Sequence, residues 1–257
     1  EVDKITGTIV GRPKSATFRT ADVVGLDTMA HVAQTCYDLC EQDEERDIFQ
    51  SPEILNKLIE EGRLGAKTKA GFYKKTEKKE ILSLDLQTGE YNPQKKVRFD
   101  GFRLAKDHQD TGEKISAMAY SNDKAGKFFW EVLSRSLIYS ANRIPEICEG
   151  IMNVDNAMKW GFGWELGPFE VWDAIGLERS VTKMQNEEKN IPEWIQNMIS
   201  EGKTHFYEIS DNSRKFYDIP SNNLQPVSSD NKSFDFQVLK SSGNLIKKHW
   251  SASLIDI

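Results

Sequence analysis

The stretch F-R-T-A-D-V-V-G-L-D, from Phe18 to Asp27, returns as F-E-V-W-D-A-I-G-L-E from Phe169 to Glu178, so F-x-x-x-D-x-x-G-L-[DE] recurs at an offset of 151 (169 − 18). Pro52 to Gly62 (P-E-I-L-N-K-L-I-E-E-G) lines up in the same way with Pro192 to Gly202 (P-E-W-I-Q-N-M-I-S-E-G). Phe72-Tyr73 then matches Phe206-Tyr207. The offset shrinks to 140 (192 − 52) and then to 134 (206 − 72), because the second copy has shorter connections. Two copies of one helical unit therefore fill most of the 257 residues. The period is far longer than the roughly 20–50 residues of a solenoid repeat, so each copy reads as a small domain.

Composition narrows the class. Hydrophobic residues make up 38% and charged residues 29%, with a net charge of −6, as in a globular protein with an acidic, well-solvated surface. That balance argues against nucleic acid as a partner, because phosphate backbones are held by Lys and Arg in excess. No apolar run approaches the roughly 18 residues of a membrane span, and Glu1 opens neither a signal nor a transit peptide. The three cysteines, an odd number, do not make a disulfide framework and agree with a reducing compartment. A cytoplasmic location is the expectation. The absence of Met at position 1 reads as a segment cut from something longer.

Phe18 to Val24 reads as a short helix stopped by Gly25, and Asp27 or Thr28 caps the next, which runs to about Glu41 with Met29, Val32, Ala33, Cys36 and Leu39 on one face. Ser51-Pro52-Glu53 signals another start, and Ile54, Leu55, Leu58 and Ile59 face inward before the stop at Gly62. Gly71 to Tyr73 and Glu80 to Leu86, followed by a turn and Glu90-Tyr91, read as a small hairpin. The second copy opens with a helix that the first lacks. Asn122 or Ser121 caps it, and Phe128, Phe129, Val132, Leu133, Leu137, Ile138 and Ala141 form one broad apolar face up to about Ile144. If the copies are equivalent, the matching helix of copy one lies before Glu1. Asn153 caps a helix to Gly161, Gly167-Pro168-Phe169 starts the next, and Pro192 another. Phe206 to Ile209 and Lys215 to Ile219, joined by Ser210-Asp211-Asn212-Ser213, repeat the hairpin. Ser221 to Ser233 reads as a linker, Phe234 to Leu239 alternates like a strand, and Ser253 to Ile257 stops inside a strand pattern, so both ends read as severed.

The run from Lys159 to Leu177, K-W-G-F-G-W-E-L-G-P-F-E-V-W-D-A-I-G-L, resembles the K-x-G-x-G-x-P-x-G-P-F-E-x-x-D-x-x-G-L stretch of the C-terminal domain of 3-hydroxyacyl-CoA dehydrogenases, with Glu165 in place of the first Pro. Val154 to Met158 resembles the family's D-x-A-M helix start. In copy one, Gly11 to Asp27 is a looser version with one extra residue before Phe18. There Gly65 to Tyr73 resembles G-x-K-T-G-x-G-F-Y, with Lys69 in place of a Gly. The resemblance covers residues 5 to 220. It implies a mainly α fold of two tandem helical domains, of the kind also described as 6-phosphogluconate dehydrogenase C-terminal-like, with small β-hairpins. The expected division is 1–110, a degenerate second copy at 111–220, and 221–257 as a linker and first strands of a crotonase-type domain, with Asn244 to Ile257 as those strands.

What the resemblance implies for function is the substrate-binding and dimerisation part of an NAD-dependent 3-hydroxyacyl-CoA dehydrogenase of fatty-acid β-oxidation, whose parent is also an enoyl-CoA hydratase. Its partners would be acyl-CoA, an upstream NAD-binding domain, a downstream hydratase domain, and further subunits in a homo-oligomer; no membrane or nucleic-acid partner is expected. NAD would sit on an upstream Rossmann domain that also carries the family's His and Glu, leaving no catalytic or cofactor-binding residue here. The alternative is a non-catalytic helical scaffold with no ligand contact. The spacing Gly161-x-Gly163-x-x-x-Gly167 is a poor dinucleotide loop, since helix precedes it and Pro168-Phe169 follows. The family's G-F-I-x-N-R run on the first helix aligns with Gly126 to Glu131, placing Trp130 at the Asn. Candidate substrate contacts are Lys67 and Lys69, for CoA phosphates, and Gly163, Gly167, Pro168 and Phe169, for the acyl pocket. A solvated lysine run and a tight helix-seating turn are the respective structural alternatives. Cys36 and Cys40 lie i,i+4 but have no matching ligand pair, so no metal site is expected. Asp22 and Asp173, at one point in both copies, suit capping or packing.

Overall fold

The computed structural model describes residues 1–210, 213–227, 236–241, 243–248 and 252–256. Asp211 and Asn212 of the expected turn, the second half of the expected linker with Phe234 and Asp235, and 249–251 and 257 near the end lie outside the described residues. The architecture is mainly α, and the chain divides into two compact units: Glu1–Thr8 with Arg12–Arg98, and Ile9–Gly11 with Phe99–Ile257.

Unit 1 holds α1 (Val2–Ile5), α2 (Phe18–Val24), α3 (Leu26–Leu39) and α4 (Glu53–Glu60), followed by a sheet of β1 (Tyr73–Lys75), β2 (Ile81–Leu84) and β3 (Tyr91–Pro93). The α2–α3 junction is Gly25 at φ 103°, a backbone that side chains other than glycine's rarely adopt, so α3 starts from it directly at Leu26 and needs neither Asp27 nor Thr28 as a cap. Pro52 occupies the N-cap of α4, and Ser51 does not cap it. As expected, α4 buries Leu55 and Leu58, with Ile54 and Ile59 packed beside them against Ala21, Leu26, Phe72 and Leu84. The apolar face of α3 is not buried in the same way: Met29, Val32 and Leu39 are exposed.

Unit 2 begins with two helices that the sequence reading left unassigned, α5 (Asp100–Lys106) and α6 (Thr111–Ala119). Their signals are short. Asp110 caps α6 by accepting from the Glu113 N–H at 3.1 Å, and Gly101 of α5 donates to the Asp123 carboxylate at 3.0 Å. Asp123, rather than Ser121 or Asn122, caps α7 (Lys124–Asn142), because its side chain accepts from Gly126 at 2.8 Å. The buried stripe of α7 runs through Phe129, Trp130, Leu133, Ser134, Leu137 and Ala141. Then come α8 (Ile151–Phe162), which starts two residues before the expected Asn153 cap, α9 (Pro168–Ile175), α10 (Leu177–Asn186) and α11 (Glu193–Ser200).

The appended β pieces are sheets of three strands rather than hairpins. In unit 1 the order is β1-β2-β3, with Tyr73 opposite Ser83 and Leu82 opposite Pro93. In unit 2, β4 (Tyr207–Ser210), β5 (Ser213–Asp218) and β6 (Asn223–Pro226) repeat it, with Tyr207 opposite Phe216 and Tyr217 opposite Leu224. The first part of the expected linker is thus an edge strand; Pro226 is tolerated there because an edge can spare a donor. Residues expected to alternate as a strand form α12 (Phe236–Ser241) instead, and β7 (Leu245–Lys248) pairs antiparallel with β8 (Ser253–Ile255).

The two cores are built from equivalent positions. Leu26, Leu55, Leu58 and Phe72 in unit 1 correspond to Leu177, Ile195, Met198 and Phe206 in unit 2, and all eight are buried. In unit 2 the space is filled by aromatic rings: Phe206 meets Phe169 edge-on with centroids 5.0 Å apart and lies 5.6 Å from Trp172 and 6.0 Å from Trp194. Phe206→Ala should cost unit 2 about 3–5 kcal/mol. All six tryptophans lie from Trp130 onward, so their fluorescence during urea denaturation reads unit 2; an unshifted midpoint would refute this account of the core.

Candidate functional site

Each unit is fastened at one point by two aspartates and a tyrosine. In unit 2, Asp155 on α8 accepts from the Phe169 N–H at 2.8 Å and the Glu170 N–H at 3.2 Å, in the first turn of α9. Asp173, near the end of α9, accepts from the Phe206 and Tyr207 N–H groups at 2.8 and 2.9 Å. The Tyr207 hydroxyl closes the circuit by donating to Asp155 at 2.8 Å. Unit 1 repeats it. Asp3 on α1 accepts from Phe18 at 2.7 Å and Arg19 at 3.0 Å, Asp22 accepts from Phe72 at 2.8 Å and Tyr73 at 2.9 Å, and the Tyr73 hydroxyl donates to Asp3 at 2.8 Å. Asp22 and Asp173 take the packing role expected of them. Of the partner aspartates, Asp155 entered the sequence reading only as part of the D-x-A-M helix start and Asp3 not at all, although Val2-Asp3 and Val154-Asp155 form a short echo at an offset of 152 (155 − 3). Neither Thr17 nor Gly167, the N-caps of α2 and α9, caps with a side chain of its own, so Asp3 and Asp155 act as caps from another helix.

Burial governs the titration of these groups. It pushes the Asp155 carboxyl up to about 7 against the opposing Phe169 N–H, and the nearby Glu170 charge adds to the rise. Burial likewise takes Asp173 to about 7, although two backbone N–H groups favour its charged form. Asp22 is raised for the same reason, and the Tyr73 and Tyr207 hydroxyls are held well above the usual phenol range by burial and by the carboxylates they meet. Glu170 goes the other way. Burial would raise it, but Lys159 at 2.8 Å, the Gly167 N–H at 2.8 Å and Arg214 at 2.7 Å together hold it below the ordinary range. Carboxyls near neutrality are candidates for proton transfer. Here every oxygen of Asp155 and Asp173 already accepts a hydrogen bond from the fold, so the chemistry of this cluster is fastening.

The candidate ligand residues fall on two segments, one in each unit. Gly163 is the left-handed cap of α8 at φ 65°, and Pro168 is the first residue of α9. Gly167 packs against Asp155 so closely that a Cβ would stand 2.4 Å from the Asp155 Cα. Phe169 is fully buried among the rings of the core, while Trp160 and Phe162 beside Gly163 are 81% and 65% exposed. In unit 1, the Lys67 ammonium lies 2.6 Å from the Asp27 carboxylate and holds it below its usual range, and Lys69 is exposed. The Gly161-to-Gly167 loop does not fit a dinucleotide: a helix feeds it and Gly167 is closed against Asp155. Among the described residues, no group of three or more His, Cys, Asp and Glu is placed to hold a metal ion, and no helix is long and apolar enough to cross a membrane.

Residues 1–75 match the family model of the 3-hydroxyacyl-CoA dehydrogenase C-terminal domain. All 257 residues align at 45% identity with 32% of a "Probable 3-hydroxyacyl-CoA dehydrogenase" of Bacillus subtilis (strain 168). Over its whole length the chain is similar to a 3-hydroxyacyl-CoA dehydrogenase, and its first 75 residues match that family's C-terminal domain. A "Putative fatty acid oxidation complex trifunctional enzyme" of Rickettsia prowazekii is 27% identical over 177 residues, which are 66% of this chain and 23% of that protein. A "Probable 3-hydroxyacyl-CoA dehydrogenase" of Deinococcus radiodurans is 46% identical over 76 residues, 30% of this chain and 21% of that one. The chain thus spans no more than about a third of the length of these curated relatives.

Of three departures from the 3-hydroxyacyl-CoA dehydrogenase pattern, two have structural reasons and the third is strained. Glu165, in place of Pro, donates its N–H to the Gly11 carbonyl at 2.8 Å, a bond proline cannot make, and its carboxylate accepts from the Thr111 hydroxyl. Trp130, in place of Asn, is buried and donates from Nε1 to the Glu187 carboxylate at 2.7 Å, with the Lys183 ammonium 4.4 Å from its ring centre. Lys69, in place of Gly, sits at φ 62°. A left-handed backbone costs an L residue about 1–2 kcal/mol, of which glycine's greater unfolded-state freedom returns about half, so Lys69→Gly should stabilise unit 1 by about 0.5–1 kcal/mol in thermal melts followed by circular dichroism. A lower melting temperature would contradict this.

The clasp also sets a pH dependence. A carboxyl raised from 3.8 to about 7 on folding binds a proton in the native chain throughout that window but not in the unfolded one. Unfolding free energy therefore falls as pH rises from about 4 to about 7. Asp155→Asn removes one such group while letting the Tyr207 hydroxyl turn to accept. Its tryptophan-monitored stability should be flatter with pH than that of the wild type; parallel profiles would show that Asp155 titrates normally.

Proposed function

We propose that these residues form the substrate-binding and dimerisation part of an NAD-dependent 3-hydroxyacyl-CoA dehydrogenase of fatty-acid β-oxidation, within a longer polypeptide that also hydrates enoyl-CoA. The observation that carries the reading is the end-to-end alignment, at 45% identity, with the Bacillus subtilis protein. The Rickettsia relatives, named as trifunctional enzymes of fatty-acid oxidation, support the wider, multi-domain reading.

On this reading the reaction, removal of a hydride from C3 of the acyl chain and a proton from its hydroxyl, is carried out by an NAD-binding domain outside residues 1–257. The present chain positions the substrate and does not touch the reacting atoms. The Gly163-to-Phe169 loop in unit 2 is proposed to meet the acyl chain, with the exposed Trp160 and Phe162 rings beside Gly163 as apolar contacts. Separately, Lys67 and Lys69 in unit 1 are proposed to meet CoA phosphates. Unit 2 is read as a duplicate without catalytic function, since Trp130 fills the Asn position and is tied to Glu187. Homo-oligomerisation and a cytoplasmic setting belong to the same proposal.

Calorimetric titration of the chain with acetoacetyl-CoA tests it. Saturable binding is expected, weakened several-fold by Lys67→Gln if that ammonium holds a phosphate and by Trp160→Ala if that ring meets the acyl chain. A flat titration would leave the non-catalytic helical scaffold as the role of this chain.

A further inference from the structure

One end of the unit 1 sheet is crowded with lysines. Lys74 and Lys75 close β1, Lys78 and Lys79 stand in the turn to β2, and Lys95 and Lys96 follow β3, which runs antiparallel to β2 and so leaves the sheet at the same end. All six are exposed, and with Glu77 and Glu80 they give this tip a charge of +4 (6 − 2) on a chain whose net charge is −6. Elsewhere, Lys67, Lys159, Lys183, Lys189 and Lys203 each stand 2.5–2.8 Å from a carboxylate oxygen. None of the tip lysines pairs with a carboxylate among the described residues; Lys74 lies over the Tyr91 ring, 5.4 Å from its centre. Lysines on an edge strand deter pairing with other strands, which accounts for Lys74 and Lys75 but not for the four beyond them. Nor does the sheet itself demand the charge. The three matching strands of unit 2 hold two cations, Arg214 and Lys215, against two carboxylates, Glu208 and Asp218. Lys79 is moreover held at φ 64°, in a tight strand connection where glycine is usual: its N–H donates to the Thr76 carbonyl at 2.9 Å, and the Thr76 N–H donates to the Glu80 carbonyl at 2.9 Å. Ile81, opposite Lys75 and next to this turn, is 55% exposed, while at the other end of the sheet Phe72 and Leu84 enter the core.

We propose that this lysine-rich tip docks on the anionic surface of a lipid bilayer. Flexible ammonium groups set around one exposed aliphatic side chain match a surface of diffuse negative charge over a shallow apolar layer. Nucleic acid fits less well, since no aromatic side chain stands between Lys74 and Ile81, or at Lys95 and Lys96, for a base to stack on. An acidic peptide also fits less well, because its carboxylates are best recognised by donors of fixed geometry, and these ammonium groups are not held by neighbours. The rest of the chain carries −10 (−6 − 4), so an anionic surface repels it and accepts the tip, and the contact thereby sets the orientation of unit 1. The expectation of no membrane partner followed from the lack of a spanning run, and a surface contact requires none. This inference does not depend on acyl-CoA binding.

Co-sedimentation of the chain with sucrose-loaded vesicles tests the proposal. Vesicles of phosphatidylcholine mixed with phosphatidylglycerol are expected to carry the chain down at low salt, with weaker binding at physiological salt, and vesicles of phosphatidylcholine alone are expected to leave it in solution. A lysine near such a surface contributes about a factor of five to binding, so Lys78→Gln combined with Lys79→Gln should weaken it about 25-fold. Lys106→Gln combined with Lys127→Gln removes the same charge from exposed positions on α5 and α7 and should change binding less than about twofold. No binding to the anionic vesicles at low salt would overturn the proposal. So would equal weakening by the two double variants, which would mean that net charge alone is read. Capture of the chain by polyglutamate or single-stranded RNA but not by vesicles, lost in the Lys78→Gln, Lys79→Gln variant, would give the tip to another class of partner and overturn it as well.

Discussion

A carboxylate that accepts N–H groups from the first turn of a helix fixes both the position and the direction of that helix, since it answers orphan donors and opposes the helix dipole at once. Asp3 does this for α2 and Asp155 for α9. A second carboxylate at the far end of the same helix, Asp22 or Asp173, takes the two N–H groups that lead into the first strand of the sheet. The tyrosine in that strand then returns to the first aspartate. Three elements far apart in sequence are thereby joined around a helix of seven or eight residues, which would be marginal by itself. The hydrophobic core forms around this frame: Phe18 and Phe169 are the residues whose N–H groups the clasp holds, and Phe72 and Phe206 stand where it meets the sheet.

The repeat was legible because the clasp needs particular residues at particular spacings. A Phe at the helix start, an Asp four residues on and a Gly three beyond that are all constrained, so F-x-x-x-D-x-x-G-L survives in both copies. Of the partner aspartates, Asp155 was visible as the Asp of the D-x-A-M helix start, but its role was not, and Asp3 was missed because copy one keeps only Val-Asp of that motif. Helices α5 and α6 were missed for a different reason. Each is short and carries a glycine, and what makes them helical is packing on each other and the Asp123 carboxylate, a tertiary effect that local periodicity does not carry. The strand β6 was hidden by its Asn and Pro, which an edge tolerates, and α12 by an alternation too short to separate strand from helix. For the candidate ligand residues, spacing marked the loop but not its burial: Gly167 is spent on the approach to Asp155 and Phe169 on the core, so the exposed part of that segment is Trp160 to Gly163 with Glu165.

The copies diverge where the clasp does not reach. Ala21 and Ile54 in unit 1 become Trp172 and Trp194 in unit 2, and the indole of Trp172 finds its acceptor in Ser180 at 2.8 Å, where unit 1 has Met29. Arg19 becomes Glu170, which draws Lys159 and Arg214 to itself. Unit 2 has thus exchanged small aliphatic packing for rings with polar handles, and each handle is satisfied, as burial requires.

The same comparison separates what is fixed from what is free to carry function. A residue bound into the clasp cannot also serve a ligand: both carboxylate oxygens of Asp155 and Asp173 are engaged, and the titration near neutrality that would otherwise invite an acid–base role follows from their enclosure. The unengaged features lie at the edges. Lys69 keeps a left-handed backbone with a long cationic side chain that packing does not demand, whereas Gly163, at the corresponding kind of helix end in unit 2, keeps the residue that the backbone prefers. A strained lysine whose side chain makes no ion pair or hydrogen bond among the described residues costs stability without compensation there, and that is the pattern expected where a side chain serves something outside the fold.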